Sequence, residues 1–185
     1  NRLILARHVF VDSLSCAVMF VLGWWHRHVG SLAFYRAFMG DKKAVTKSGY
    51  EARILAYNPG SCRIGLFFFS YQLKNMIDCL VWKDGPEYVF HHVLSMVVSG
   101  GSLYPGLAAA YASFYLGLSE LSTAVLCILA NFDDTHGVPG LGDAFPVAKV
   151  VTGAAFVVTF ILCRCILWPV ASYYFVQDCR WALGG

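Results

Sequence analysis

The chain has 185 residues, of which 58% are hydrophobic and 14% charged, with a mean hydropathy of +0.58. A soluble domain of this size could not hide so much apolar surface, so the composition points to a bilayer protein, and the 16% aromatic share suits interfacial Trp and Tyr anchors. A net charge of only +3 with no run of like charges argues against nucleic acid as a partner.

A hydrocarbon core of about 30 Å requires roughly 20 apolar residues per helix. The sequence offers five such segments, which predict an all-α, polytopic transmembrane bundle forming one domain over residues 1–185. The first span runs from about residue 8 to 25 and holds Asp12. Because the chain opens on Asn1, a further span or a targeting peptide upstream remains open. Residues 31–39 follow as a candidate interfacial helix that dips Phe34, Tyr35 and Phe38 into the headgroups.

The second span, about 62–82, follows the break at Pro59-Gly60. The third, about 87–103, follows Gly85-Pro86, where a proline near a helix start loses no needed N–H. The fourth, about 106–130, follows Tyr104-Pro105-Gly106. It carries small residues such as Ala108, Ala110, Ser113 and Gly117 that let backbones approach. The fifth, about 145–168, is expected to stop before Pro169, with Arg164 snorkelling to the interface. Residues 26–61 carry six basic residues, and residues 131–145 carry Asp133, Asp134 and Asp143 with no Lys or Arg. The positive-inside rule then puts the carboxy terminus in the cytoplasm and the opening of the chain on the other side.

Ionisable groups at membrane depth persist only when they face protein or a water-filled cavity. Three sets stand out. In span two, Tyr71, Gln72, Asn75 and Asp78 share a helical face, with Lys74 beside it. In span three, Glu87, His91 and Ser95 recur at i, i+4 and i+8, while the adjacent His92 is turned about 100° away. In span four, Ser119, Glu120, Ser122 and Thr123 interrupt an apolar run. Packing these faces together predicts a polar pocket with His91 facing it. There His91 and His92 are the candidate proton-handling groups, and Glu120 or Asp78 orients them. The same residues also suit an interhelical hydrogen-bond network that only fixes packing. No metal site is expected, because adjacent histidines on a helix diverge and the seven cysteines form no CxxC pair.

Several short motifs resemble those of the TLC-domain family. The opening Asn1-Arg2-Leu3 with Arg7-His8 is similar to the family's start. Tyr57-Asn58-Pro59-Gly60-Ser61, leading into Ser70-Tyr71-Gln72-Leu73-Lys74-Asn75, is similar to its loop and its Gly-Tyr-Phe-x-x-Asp signature. Glu87-Tyr88-Val89-Phe90-His91-His92 resembles the double-histidine helix. Leu118-Ser119-Glu120-Leu121-Ser122-Thr123 resembles the glutamate-serine motif of the small TLC-domain proteins.

The resemblance implies a helical bundle around a lipid-accessible cavity. Its best-known members are ceramide synthases, which transfer an acyl group from acyl-CoA to a sphingoid-base amine with the histidine pair as machinery. This chain lacks their later His-Asp pair and has Asn75 in place of their second-span aspartate, so it stands closer to the small TLC-domain proteins. The function so implied is lipid binding, sensing or metabolism in an endoplasmic-reticulum-like membrane, with His91, His92 and Glu120 as catalytic candidates. Tyr71, Asn75, Asp78, Glu87, Ser95, Ser119 and Thr123 are candidate ligand-binding residues. Membrane lipids are the expected partners, and a lipid or acyl-CoA the expected ligand. The alternative is a non-catalytic subunit of a large mitochondrial or plastid membrane complex, holding lipid, quinone, pigment or haem.

Overall fold

The structure is a computed structural model that describes residues 2–27, 50–83, 85–104 and 108–184. Seven helices are numbered here: α1 (Arg2–Trp25), α2 (Tyr50–Ile54), α3 (Pro59–Trp82), α4 (Pro86–Leu103), α5 (Ala110–Phe132), α6 (Leu141–Ala144) and α7 (Pro146–Ala182). Among the described residues there is no strand. Helices α1, α5 and α7 are long and apolar enough to cross a membrane. The second and third expected spans are also helices, α3 and α4. Their charges (Arg63, Lys74 and Asp78 on α3, Glu87 on α4) and the two histidines make them less apolar. The proposed interfacial helix at 31–39 and most of the basic loop lie outside the described residues.

Helix starts follow from local chemistry. Asn58 caps α3, its Oδ1 accepting the Ser61 N–H at 2.9 Å, and Pro59 takes the first helical position, where no donor is lost. Lys83, in the left-handed conformation (φ 59°), ends α3, and Pro86 restarts the chain as α4. The two form a hairpin.

One expectation is corrected at α7, which does not stop at Trp168 but continues through Pro169 to Ala182. A mid-helix proline removes one hydrogen bond and crowds the preceding turn. Here the turns before it, Ile161–Leu167, are wound as π-helix, and the Trp168 N–H reaches back five residues to the Cys163 carbonyl. The wider turn makes room for the ring.

The same device recurs at Ala6–Ser13 in α1 and Phe114–Leu118 in α5. All three segments contain or adjoin ionisable residues at membrane depth: Arg7 and Asp12, Glu120, and Arg164.

Helices α1 and α5 run antiparallel, with Ser13 Oγ donating to the Ala124 carbonyl at 3.0 Å. They cross backbone to backbone: a Cβ at Gly23 would lie 2.8 Å from the Gly117 Cα and 2.6 Å from the Leu118 nitrogen. Such close approach supplies dispersion contact where lipid gives no hydrophobic drive between helices. Cys16, Met19, Ile64, Phe68, Leu116 and Ala124 fill the space where α1, α3 and α5 meet.

Candidate functional site

The charged residues of α1 and α3 converge. Asp12, 7% exposed, comes from the π-wound part of α1, and Lys74 from the edge of the polar face of α3. Lys74 Nζ lies 2.6 Å from Asp12 Oδ1, 2.8 Å from Asp78 Oδ2 and 3.0 Å from Asn75 Oδ1, which uses all three of its donors. Arg7 Nε sits 3.5 Å from Asp78 and 3.9 Å from Asp12, and its guanidinium lies over the Trp82 ring. Two cations and two carboxylates balance, which is how charges survive out of water. The expected polar face of α3 is present: Tyr71, Gln72 and Asn75 are buried and Asp78 half-buried.

The histidines are placed the other way round from the expectation. His92, not His91, faces the bundle, with its Nδ1 2.6 Å from Gln72 Oε1. A carbonyl oxygen accepts, so Nδ1 carries the proton and Nε2 keeps its lone pair. His91 is exposed and touches His92 edge-on, ring centres 5.3 Å apart, and Glu87 is exposed beside it. The cause is the packing of α4 on α3. Ser102 Oγ would stand 3.0 Å from a Cβ at Gly65, and Ser99 is fully buried, so small residues set the closest approach. Positions 92, 95, 99 and 102 lie on one helical face, and this turns 87 and 91 outward. Ser95 is half-buried on that face, and its carbonyl accepts the Ser99 hydroxyl at 2.8 Å.

Glu120 belongs to a second centre. It is 5% exposed, and its Oε1 takes the Arg164 Nη2 of α7 at 3.2 Å. The same nitrogen reaches Thr123 Oγ1 at 3.3 Å. Arg164 therefore points into the bundle and not to the interface, and Glu120 orients an arginine and no histidine. Its other carboxylate oxygen accepts the Cys16 thiol at 3.8 Å, and Cys16 also reaches the Tyr71 hydroxyl at 3.6 Å, which links this centre to α3. Ser119, fully buried, donates to the Tyr115 carbonyl of its own helix at 2.7 Å.

A third cluster escaped the sequence reading. Arg53 of α2 forks onto Asp178 with two bonds of 2.6 Å, and Tyr111 donates to the same carboxylate at 2.6 Å. Asp178 is fully buried, and its hydrogen bonds raise the Arg53 pKa above the ordinary value against the opposing effect of burial. Its only sequence signal is an aspartate near the end of an apolar helix. Between α1 and α3 the surface also opens into a groove of about 480 Å³, with Val11, Leu66, Phe67 and Tyr71 as walls and Arg63 and Lys74 toward its ends. Neither histidine lines it. Among the described residues no group of three His, Cys, Asp or Glu side chains could hold a metal ion.

Apolar helices of spanning length joined by buried ion pairs define an integral membrane protein of the all-α class. The family model for the TLC domain matches residues 7–183, and the chain belongs to the TLC-domain family, with the lipid-related function that membership carries. No curated protein and no solved structure matches it.

Proposed function

We propose that the protein handles a membrane lipid within its bundle, and that the centre built from Asp12, Gln72, Lys74, Asp78 and His92 holds the lipid's polar group. The observation that carries this reading is the bond from His92 Nδ1 to Gln72, which holds the ring in the tautomer that leaves Nε2 as an acceptor. It stands on the helix facing the Asp12–Lys74–Asp78 ion pairs.

If a reaction accompanies binding, it is acyl transfer. His92 Nε2 then takes the proton from an attacking amine or hydroxyl as that group bonds to the acyl carbon of an acyl thioester, and returns it to the thiolate that leaves. The role of base passes from His91 to His92 because His91 faces outward. An endoplasmic-reticulum-like membrane is the location that fits this reading.

The test is lipid retained and converted by purified protein. His92→Ala is expected to lower bound or converted lipid at least tenfold, while His91→Ala has little effect. An unchanged lipid profile in His92→Ala would overturn the reading.

A second reading, a subunit of a larger respiratory or photosynthetic membrane assembly, draws support from α7. Val147, Val150, Val151, Val157 and Val158 are all more than half exposed there. The outward imidazole of His91 is also open to a pigment or haem. Gentle solubilisation would then yield a large particle with a visible absorption band that His91→Ala removes, whereas a colourless monomer or simple dimer contradicts it.

A further inference from the structure

The groove between α1 and α3 lies apart from both polar centres' histidine and glutamate and is open on the outer face of the bundle. Its walls are Val11, Leu66 and Phe67, all exposed apolar side chains, and its volume of about 480 Å³ is in the range of sites that enclose a small ligand. Its two ends differ in charge. At one, Lys74 is already neutralised by Asp12 and Asp78 and offers the groove its aliphatic stem. At the other, Arg63 is exposed and has no ion-pair partner among the described residues, one turn inside the start of α3, whose first turn carries no acidic residue. The eleven helical steps from Arg63 to Lys74 span roughly 16 Å. That is about half of the ~30 Å hydrocarbon core, the depth of one leaflet.

An apolar slot one leaflet deep with an exposed arginine at its outer end fits one kind of occupant. We propose that this groove holds an acyl chain of an anionic phospholipid, with the phosphate on Arg63 and the chain running along α3 toward Lys74. The site is lateral, facing the bilayer, and goes beyond the lipid handling assigned to the buried centre. Arginine suits the role because its planar fork pairs with phosphate oxygens through two parallel hydrogen bonds.

The experiment reconstitutes the full chain into nanodiscs of phosphatidylcholine with a minor fraction of phosphatidylglycerol. The protein is then released into mild detergent, and retained lipids are counted by native mass spectrometry. The wild type is expected to keep phosphatidylglycerol in preference to phosphatidylcholine. Arg63→Gln should lower that preference roughly fivefold, the equivalent of about 1 kcal/mol for one basic residue near anionic lipid, while Arg63→Lys retains most of it. Leu66→Trp, at an exposed wall position, should fill the slot and reduce retention of that lipid without lowering thermal stability. His92→Ala should leave the preference intact whatever it does to lipid conversion, so this site and the buried centre fail separately. Equal phosphatidylglycerol retention in Arg63→Gln and wild type would overturn the proposal. So would an unaltered count in Leu66→Trp, or displacement of the lipid by inorganic phosphate alone.

Discussion

Glu120 of α5 and Arg164 of α7 form an ion pair between the two helices, and their pairing carries a prediction. Removing one partner of a buried ion pair leaves an uncompensated charge, which commonly costs about 3–5 kcal/mol, while replacing both by apolar residues is often close to neutral. Arg164→Leu alone should therefore lower the unfolding midpoint in detergent sharply. Glu120→Leu with Arg164→Leu should recover most of the loss, and a double variant as unstable as the single would contradict the pairing. The sequence made Glu120, Lys74 and Asp78 legible as buried polar groups because a charge inside an apolar run is conspicuous. It did not make their partners legible. Arg164 reads equally well as a snorkelling residue, and which way a side chain near a span end turns depends on a helix remote in the chain. The two histidines show the same limit: spacing alone put His91, Glu87 and Ser95 on one face but not which face α3 covers. That was settled by Gly65, Ser99 and Ser102, whose smallness sets the closest approach of the hairpin.

At the scale of elements, the crossing of α1 and α5 has no room for even one methyl group. Gly23→Ala would put its Cβ among the backbone atoms of Ser113, Gly117 and Leu118, none of which can rotate away. Overpacking of this kind typically costs about 1–3 kcal/mol or more, so Gly23→Ala should lower thermal stability. Gly117→Ala, acting on the same contact, should add little to it in the double variant. By contrast, Gly101→Ala meets no atom within 4 Å and should be neutral or mildly stabilising.

The connection after α5 makes a pH prediction. Asp133 Oδ1 accepts the Thr135 and His136 backbone N–H groups at 2.6 and 2.9 Å, and these bonds, His136's first, hold its carboxyl below the ordinary aspartate pKa. A carboxylate with a lowered folded pKa contributes its stability above the unfolded value of about 3.9, and the contribution is lost as pH falls through the folded pKa. Amide shifts of Thr135 and His136 should thus titrate together with a midpoint below about 3.9, and Asp133→Ala should abolish that titration. The helices themselves were legible from apolar length and from Pro and Gly punctuation. The end of α7 was not, because Pro169 signals a stop that the π-wound turns before it remove.

For the whole molecule, the Arg53–Asp178–Tyr111 cluster ties the last turns of the chain to a short helix that precedes α3 and to the start of α5. Residues 53 and 178 are 125 positions apart, so no local pattern could pair them. Asp178→Asn would keep the shape but weaken the charged fork. It is expected to free the carboxy-terminal part of α7, read as faster hydrogen exchange over residues 170–182 with little change in α1. Equal exchange along α7 in variant and wild type would show that the apolar contacts of Tyr174 and Phe175 hold that segment without the cluster. The membrane-protein class was legible from composition, and membership of the family from motifs spread along the chain. The three-centre arrangement of charges depends on contacts between distant helices and became visible only in the folded structure.

The wide turn at Phe114–Leu118 also absorbs a shift of phase. A π-turn accommodates one residue more than the α-helix around it, so deleting a single residue there would let α5 rewind as an ordinary helix without breaking it. Side chains on the two flanks would keep their mutual phase, because the extra residue is what the wide turn absorbs. A deletion in the α-wound stretch after it would instead rotate one flank by about 100° against the other. A deletion inside the turn would therefore keep Glu120 against Arg164 and Cys16, whereas one in the α-wound stretch that follows would turn the Ala124 carbonyl off Ser13 while leaving the helix content nearly unchanged. A one-residue deletion series across this turn, read by circular dichroism and by thermal stability side by side, should separate those two quantities.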